Sequence, residues 1–591
     1  MLESLDRLYV RACKFAGKIE HFKLEKLASD RLRENLEIAE LKVKPEEVVA
    51  LSILSVFSWV PIAIFLIMIL KTGPSSLYAV LLSLPFATCL IAGWYPKIRA
   101  DGKIFQGLSE ITALISQLVV AMKILPNAER AINFTSSKAS GPLGRDLRRF
   151  IKKSYFRIYA SAEEAMMEFS IKWKMLGEDL RSAIRLVFGS SCASETNRIR
   201  MLDQAHDMVL RNVRERMREF ASGLHLPLFV IYSMGVLLPL VLIGVLPIVS
   251  TFNFSFGAFE LFLIYCVILP AGVYALNWYV LMKRPMVFPS SVPEVKINRA
   301  RAATISISIM AFSLVANFLF GVNFEHRALI FLWIIAVSIS AYLHFAYSNA
   351  LKERMKTIAV ENELCVFLKK LGSIMAEGRP AEDAIERAAG EMKDSPIAGI
   401  FLNAAKNVRL GNMGLASALF DKKRGALKDM NSKMISDALS ALIENAGRDT
   451  RKAGNAIASA GEHLEKIKEV ERELKNRLSE ITSSMKSVAV FFLPLVASVT
   501  TSMQARLGLK ISQVGFLASN STVIPPWVFI LILGIHVLLL TTILVECITK
   551  IEVGDDQIFV KMAISRTLPV ALGVFTLGAV ASQIVFESIM G

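Results

Sequence analysis

The sequence lacks the residue patterns that support redox, metal or nucleotide chemistry. Its six cysteines stand singly among 591 residues with no CxxC pair, which excludes a disulfide framework and a cysteine zinc site. The seven histidines show no ligand spacing, and no HExxH motif occurs. No phosphate-binding loop of the form Gly-x4-Gly-Lys-Ser/Thr is present. We therefore expect a protein that is not an enzyme, binds no cofactor or metal, and does not hydrolyse ATP by itself.

Apolar residues are what the sequence has in abundance. They make up 53% of the chain against 20% charged residues, and the mean hydropathy is +0.47. This balance is typical of a membrane protein. Nine segments are long and apolar enough to cross a hydrocarbon core of roughly 30 Å as helices. They are 48–70, 77–95, 224–250, 258–282, 302–320, 328–348, 487–505, 526–549 and 567–586.

The seventh segment is the weakest of the nine. It contains Pro494, Thr500 and Thr501, and it could instead be a re-entrant or tilted element. The first six segments form the predicted hairpins 48–95, 224–282 and 302–348, and the last three, 487–505, 526–549 and 567–586, are single spans.

Basic residues lie almost entirely on one side of this arrangement. Of the 68 Lys and Arg residues, 64 fall in five segments that alternate with the outer connections. Because cytoplasmic loops carry an excess of Lys and Arg, these segments are predicted to be cytoplasmic, with the N-terminus inside and the C-terminus outside the cell membrane. Nothing at the start resembles a cleaved signal peptide. The segments are the N-terminal segment 1–47, the blocks 97–222 and 351–486, the proline-containing linker 283–301, and 550–566.

The two large blocks share short features in the same order. Their common order predicts an internal duplication. The matches are Glu110 with Glu363, Leu118 with Leu371 and 128–132 with 381–385, all 253 residues apart, then Pro142-Leu143 with Pro396-Ile397, and Gly177 and 182–184 with Gly411 and 417–419.

Both blocks show helical periodicity and little strand character. Apolar stripes run directly into the third and seventh spans, so each block is predicted to be a helical bundle whose final helix continues into the bilayer as one rod. The fold class is therefore an all-α polytopic membrane protein with about nine transmembrane helices and two repeated cytoplasmic bundles. The stripes are Leu202, Ala205, Val209, Val213, Met217 and Phe220, and Leu464, Ile467, Val470, Leu474, Leu478, Ile481 and Met485.

Ionisable residues are scarce inside the nine segments. Glu260 and Glu546 lie near segment ends, where they can reach the interface, and a satisfied histidine is favoured over a metal ligand for His225, His344 and His536. This scarcity counts against an ion-coupled transporter. A transporter or permease nevertheless remains the alternative function, and polar groups converging at mid-bilayer would favour it.

Two basic clusters are candidate contact surfaces. On a helix, the members of the first cluster share one face, and Asp146 is the only acid among them. Such a face is compatible with anionic lipid, with solvent or with an acidic partner. Nucleic acid is not expected, because the clusters lack interleaved aromatic residues. The candidates are Arg145, Arg148, Arg149, Lys152 and Lys153 in the first cluster, with Arg157 just beyond, and Lys422, Lys423, Arg424 and Lys428 in the second.

Four features of the chain resemble the type II secretion system F family. They are the paired helical blocks, the Ala-x-x-Ala-Ile segments, the Gly-containing Ser-Ala-Leu/Ile helices and the direct exit of each block into a membrane span. In length and topology the chain is most similar to the archaeal branch, which includes the archaellum assembly protein FlaJ and TadC-like platforms of archaeal type IV pili. The resemblance covers about 97–250 and 351–505.

That resemblance implies a membrane platform at the base of a filament. Its implied partners are a hexameric secretion ATPase in the cytoplasm, prepilin or archaellin subunits in the membrane, and a second copy of the chain in a homodimer. The resemblance carries no catalytic residues. Under this resemblance, the nine basic candidates would contact the ATPase. The resemblance does not distinguish an archaellum from an adhesive pilus.

Overall fold

The structure, a computed structural model, is built from helices. It describes residues 2–19, 29–69, 75–124, 127–139, 141–174, 177–239, 241–242, 257–282, 284, 299–319, 324–411, 413–421, 423–428, 450–513 and 525–590, and within these ranges no strand occurs. This confirms the all-α prediction. Lys422 and most of the 283–301 linker lie outside the described residues.

The helices are numbered here in chain order. The first half contains α1 (Leu2–Ile19), α2 (Asp30–Ala39), α3 (Pro45–Ile69), α4 (Ser75–Ile124), α5 (Ala128–Lys138), α6 (Gly141–Tyr155), α7 (Ala162–Lys172), α8 (Glu178–Gly189), α9 (Glu195–Leu237) and α10 (Ala258–Met282). The second half contains α11 (Arg299–Leu319), α12 (Phe324–Ala376), α13 (Ala381–Glu391), α14 (Pro396–Arg409), α15 (Leu415–Phe420), α16 (Thr450–Met503), α17 (Pro526–Val553) and α18 (Gln557–Met590).

Among the described residues, six helices are long and apolar enough to cross a membrane: α9, α10, α12, α16, α17 and α18. They overlap six of the nine predicted spans, and of the span 224–250 only residues 224–239 and 241–242 are described. The other three predicted spans, 48–70, 77–95 and 302–320, fall in helices α3, α4 and α11. The structure does not describe all the side chains of these helices. Those three spans stay predictions.

The helices that lead out of the two blocks extend into apolar candidate spans, as the stripes predicted. α16 runs as helix from block to span, and α9 does so with one turn residue, Leu224, between Gly223 and His225. α16 continues as helix to Gln513, so the segment around Pro494 is helical and contains no re-entrant turn. The helices that lead into the blocks, α4 and α12, are also continuous over 50 and 53 residues, which the sequence analysis did not predict. Each block, called here lobe 1 (97–223) and lobe 2 (351–487), is thus joined to apolar helix at both ends.

Among the described residues, three π-helical turns lie within the apolar helices, and each ends two residues before a proline. They are Ser233–Leu237, Leu263–Ile268 and Val488–Phe492, followed by Pro239, Pro270 and Pro494. In a π turn each carbonyl accepts a hydrogen bond from the N–H five residues later. Because a proline has no N–H, the carbonyl five residues before each of these prolines loses its backbone donor.

Helix α17 supplies side-chain donors to two of these carbonyls. The Nδ1 atom of His536 donates to the Tyr265 carbonyl at 2.5 Å, and the Thr541 hydroxyl donates to Ala489 at 3.2 Å. Replacement of lost backbone bonds by neighbouring side chains is what makes proline tolerable in buried apolar helices. It also accounts for His536 as a packing residue, in agreement with the reading preferred from the sequence.

Lobe 2 depends on close helix contact. A Cβ atom at Gly372 of α12 would lie 2.4 Å from the Ala458 nitrogen of α16, and one at Gly454 would lie 2.4 Å from the Ala376 nitrogen. Only glycine allows the two backbones to approach so closely. These residues form a Gly-xxx-Ala pair on each helix, a pattern typical of tightly crossed helices.

A buried ion pair joins α12 to the start of α18. The Arg354 Nε atom lies 3.0 Å from Asp556 Oδ2, and the two side chains are only 6% and 1% exposed. The second oxygen of Asp556 accepts from the Ile558 amide at 3.1 Å, which caps α18. The turn between α17 and α18 is therefore anchored to the base of lobe 2.

Candidate interaction surfaces and the junction of the lobes

The first basic cluster lies on α6 as predicted, with Arg145, Arg149, Lys152 and Lys153 exposed. Arg148 is the exception to the predicted common surface. It is partly buried, and its guanidinium donates to the carbonyls of Ser136 and Ala139 at 3.1 and 2.5 Å. These carbonyls close α5, so Arg148 acts as a helix cap and is less accessible to a partner than its spacing suggested.

Arg149 already has carboxylate partners. Its Nη1 atom lies 2.8 Å from Glu40, at the end of α2, and 3.4 Å from Asp146. Asp146 is buried and binds Lys172 at 2.6 Å, so it helps to join α6 to α7 and is not a free acid within the cluster. Arg149 stays exposed despite these pairs, as do Arg145, Lys152 and Lys153.

The second cluster lies in a turn after α15. Lys423, Arg424 and Lys428 are exposed. The backbone amides of Lys423 and Arg424 both donate to Asp421 Oδ1, at 2.7 and 2.9 Å, which fixes the turn. Asn407 of α14 donates to the Arg424 carbonyl at 2.8 Å and anchors it to lobe 2. The cluster is therefore presented on a structured turn.

Equivalent glutamates cap equivalent helices in the two lobes. The Leu143 amide donates to Glu110 Oε2 at 2.8 Å, and the Ile397 amide donates to Glu363 Oε2 at 3.3 Å. Both carboxylates come from the helix that leads into the lobe, and both meet the first turn of its second short helix. The glycine anchors agree less well, because Gly177 directly precedes α8 with φ +109°, whereas Gly414, and not Gly411, precedes α15.

The two lobes meet along α9 and α16, which run parallel to each other. Asp207 pairs with Lys466 at 2.7 Å, and Glu473 lies 3.3 and 3.0 Å from Arg214 and Arg218. The apolar stripes predicted from the sequence lie largely within one core shared by both lobes. Its members on the two helices include Leu202, Val209, Val213, Met217, Ile467, Val470, Leu474 and Leu478.

Two histidines that looked unrelated in sequence stack at this junction. The rings of His206 and His463 have centroids 4.0 Å apart and both side chains are buried. The Asp203 Oδ1 atom forms an ion pair with Lys123 Nζ at 2.7 Å and lies 3.3 Å from His463 Nε2. Burial opposes ionisation of Asp203, but its bonds to His463 and Lys123 outweigh this and lower its pKa to about 2.

His206 itself stays neutral. Burial, followed by its proximity to His463 and Lys466, lowers its pKa to about 2. Within the described part of the chain, the pair belongs to no group of three or more His, Cys, Asp or Glu residues that could hold a metal ion. We interpret it as a polar contact that fixes the register of one lobe on the other.

Beyond this contact α9 and α16 separate around a cleft. Its volume is about 590 Å³, and Leu544 of α17 forms part of its wall. The cleft has charged residues of both signs at one end, among them Arg218, Arg477 and Glu480, and an apolar lining elsewhere, and it lies where both helices become apolar. Lining residues include Arg218, His225, Phe229, Arg477, Ile481 and Met485.

Several polar groups inside the apolar helices bond within their helix or to a neighbouring one, whereas the Asn277 Oδ1 and Ser338 Oγ atoms are buried without a hydrogen-bond partner among the described residues. Ser498 and Thr501 of α16 donate to carbonyls of the same helix, and Ser502 contacts Ser582 of α18 at 2.5 Å. Glu260 accepts from the Gly257 amide at the start of α10, and Glu546 pairs with Lys550 at 2.7 Å. These are helix-packing and helix-end contacts. The interfacial position of both glutamates stays a prediction.

One protein family matches part of the chain. Residues 367–501 match the family described as Type II secretion system (T2SS), protein F. No curated protein and no solved structure matches the chain. The matched region begins in α12, includes the described helices of lobe 2, and ends in the apolar part of α16. Such domains are typical of the non-enzymatic membrane platforms of type II secretion and type IV pilus systems. The chain is thus a helical membrane protein that carries a Type II secretion system protein F domain at residues 367–501.

Proposed function

We propose that the protein is a cell-membrane platform that assembles a type IV pilus-like filament, either an archaellum or an archaeal pilus, as in the archaeal branch of the family. In this proposal both lobes lie in the cytoplasm, the N-terminus is inside and the C-terminus outside. The lobes receive a hexameric secretion ATPase, and the membrane helices receive prepilin or archaellin subunits. The observation that carries the proposal is that the protein F domain includes both a lobe and the helix that joins it to the membrane region.

The same geometry supports a duplicated platform. Glu110 and Glu363 make the same capping contact, and the π turns that precede Pro239 and Pro494 occur at the same place in α9 and α16. Lobe 1 would then be a second domain of the same kind, outside the matched residues. Two such domains in one chain would offer an ATPase two related surfaces.

The continuous helices provide a mechanical route. A helix can transmit a displacement along its axis because its backbone hydrogen bonds link each turn to the next. Ion pairs and the shared core couple α9 to α16, so movement imposed on either lobe would reach both apolar ends. The cleft between those ends is the place where we expect a subunit helix to be handled.

The basic clusters are the proposed ATPase contacts. Charge reversal of Lys423, Arg424 and Lys428 should weaken ATPase capture from mild-detergent extracts in a salt-dependent way, because exposed charges steer association and are screened by salt. Reversal of Arg145, Lys152 and Lys153 tests the first cluster in the same way.

A matched control separates specific contact from net charge. Reversal of Lys356, Lys475 and Lys486, which are exposed on α12 and α16, changes the charge by the same amount outside both clusters. It should leave ATPase capture unchanged. Equal loss in the control and in both cluster variants would contradict a docking role for the clusters. Failure of the unmodified protein to retain an ATPase or filament subunit, with substrate-dependent flux instead, would favour the permease alternative.

A further inference from the structure

We infer that α1 is an in-plane helix that binds the anionic surface of the bilayer. The inference requires only that segment 77–95 crosses the membrane, and it does not depend on filament assembly. No function was assigned to this helix from the sequence.

The contacts of α1 place it beside the inner end of that segment. The Tyr9 hydroxyl donates to the Ala92 carbonyl at 2.8 Å, and the Tyr95 hydroxyl donates to Asp6 at 2.7 Å. Asp6 also pairs with Arg99. In α4 the apolar run ends at Trp94 and Tyr95 and is followed by Lys97 and Arg99, an order of aromatic and basic residues that is typical of the membrane interface.

One side of α1 is held by the protein. Cys13 and Ala16 are buried, and Cys13 packs with Leu36 and Val48. Burial is the main reason why the pKa of the Cys13 thiol rises to about 11. This face needs no further partner.

The opposite side is apolar and basic together. Leu8 and Phe15, two turns apart, are each 65% exposed. Arg11, Lys14 and Lys18 are exposed beside them at i, i+3 and i+7 spacing. Basic side chains flanking an exposed apolar row are the pattern of helices that lie at the headgroup boundary, with the apolar row in the acyl region. At this level of the molecule, anionic headgroups are the partner that satisfies both features.

The test is photolabelling of the full chain in nanodiscs by a phospholipid that carries a carbene precursor on its upper acyl chain. Labelled peptides are identified by mass spectrometry in bilayers with and without phosphatidylglycerol. Adducts should concentrate on residues 7–18, several-fold above those on the exposed stretch 195–201 of α9, and phosphatidylglycerol should increase them.

Three variants make the test specific. Leu8→Glu with Phe15→Glu should abolish the excess labelling, whereas Ile199→Glu, at an exposed apolar residue of α9, should not change it. Arg11→Gln, Lys14→Gln and Lys18→Gln together should remove only the increase caused by phosphatidylglycerol. All these side chains are exposed, and unchanged thermal melting shows that the fold is kept. Labelling of 7–18 no higher than that of 195–201, or equal in wild type and the Leu8/Phe15 variant, would overturn the inference.

Discussion

The ion pair between Arg354 and Asp556 gives the sharpest prediction about stability. Asp556→Asn keeps an N-cap acceptor for the Ile558 amide but leaves the Arg354 guanidinium buried without a counter-charge. Arg354→Met keeps most of the volume but isolates the carboxylate. Removing one partner of a buried pair typically costs about 3–5 kcal/mol, because the remaining charge has lost its solvation and its partner. Each single variant should therefore lose about that much unfolding free energy.

The assay is denaturation of the full chain in mixed micelles, followed by helical signal, for both single variants and the double variant. The double variant should be more stable than either single variant, because neither charge is then left alone. The exposed pair Glu353 and Lys356, at 3.0 Å on the same helix, is the matched control. Its neutralisation should cost less than about 1 kcal/mol. Additive losses in the double variant, or losses at Arg354 no larger than in the control, would refute the reasoning.

Three further predictions concern the lobes. Wild-type stability should fall as pH drops below about 6.5, because unfolded His206 binds a proton that the folded residue, with its lowered pKa, does not; His206→Gln should flatten thermal melting temperatures between pH 7 and 5. Gly454→Val should lower the free energy of unfolding by about 1–3 kcal/mol or more in a denaturation assay, because the valine side chain would overlap the backbone at Ala376. The control Gly399→Ala, where a Cβ atom would meet open space, should be neutral or slightly stabilising. Glu363→Gln should cost about 1 kcal/mol in the same assay by weakening the cap of α14, and no loss would argue against that contact.

The helical architecture was predictable because its signals are local. Apolar length and three-to-four-residue periodicity depend only on neighbouring residues, and they indicated both the continuous α9 and α16 and the apolar helices. The continuity of α4 and α12 was missed because no stripe crosses from their apolar to their polar halves.

The contacts that organise the candidate surfaces were not predictable, because they join distant parts of the chain. Nothing in the sequence pairs His206 with His463 or Arg354 with Asp556. Arg148 was grouped with its neighbours by helical spacing, which gives the face of a helix but not the carbonyls that a long side chain reaches. The aligned glutamates are the exception only in part, since their matched positions predicted that the two segments are related but not that both residues cap a helix.

The central claim is that the lobes lie in the cytoplasm and are joined by continuous helices to the membrane. Cys192, at the end of α8 in lobe 1, is the exposed cysteine among the described residues and tests this directly. A membrane-impermeant maleimide should label Cys192 in inverted membrane vesicles but not in intact cells, and Cys192→Ser should remove that signal. Labelling of Cys192 in intact cells would place lobe 1 outside and contradict the account.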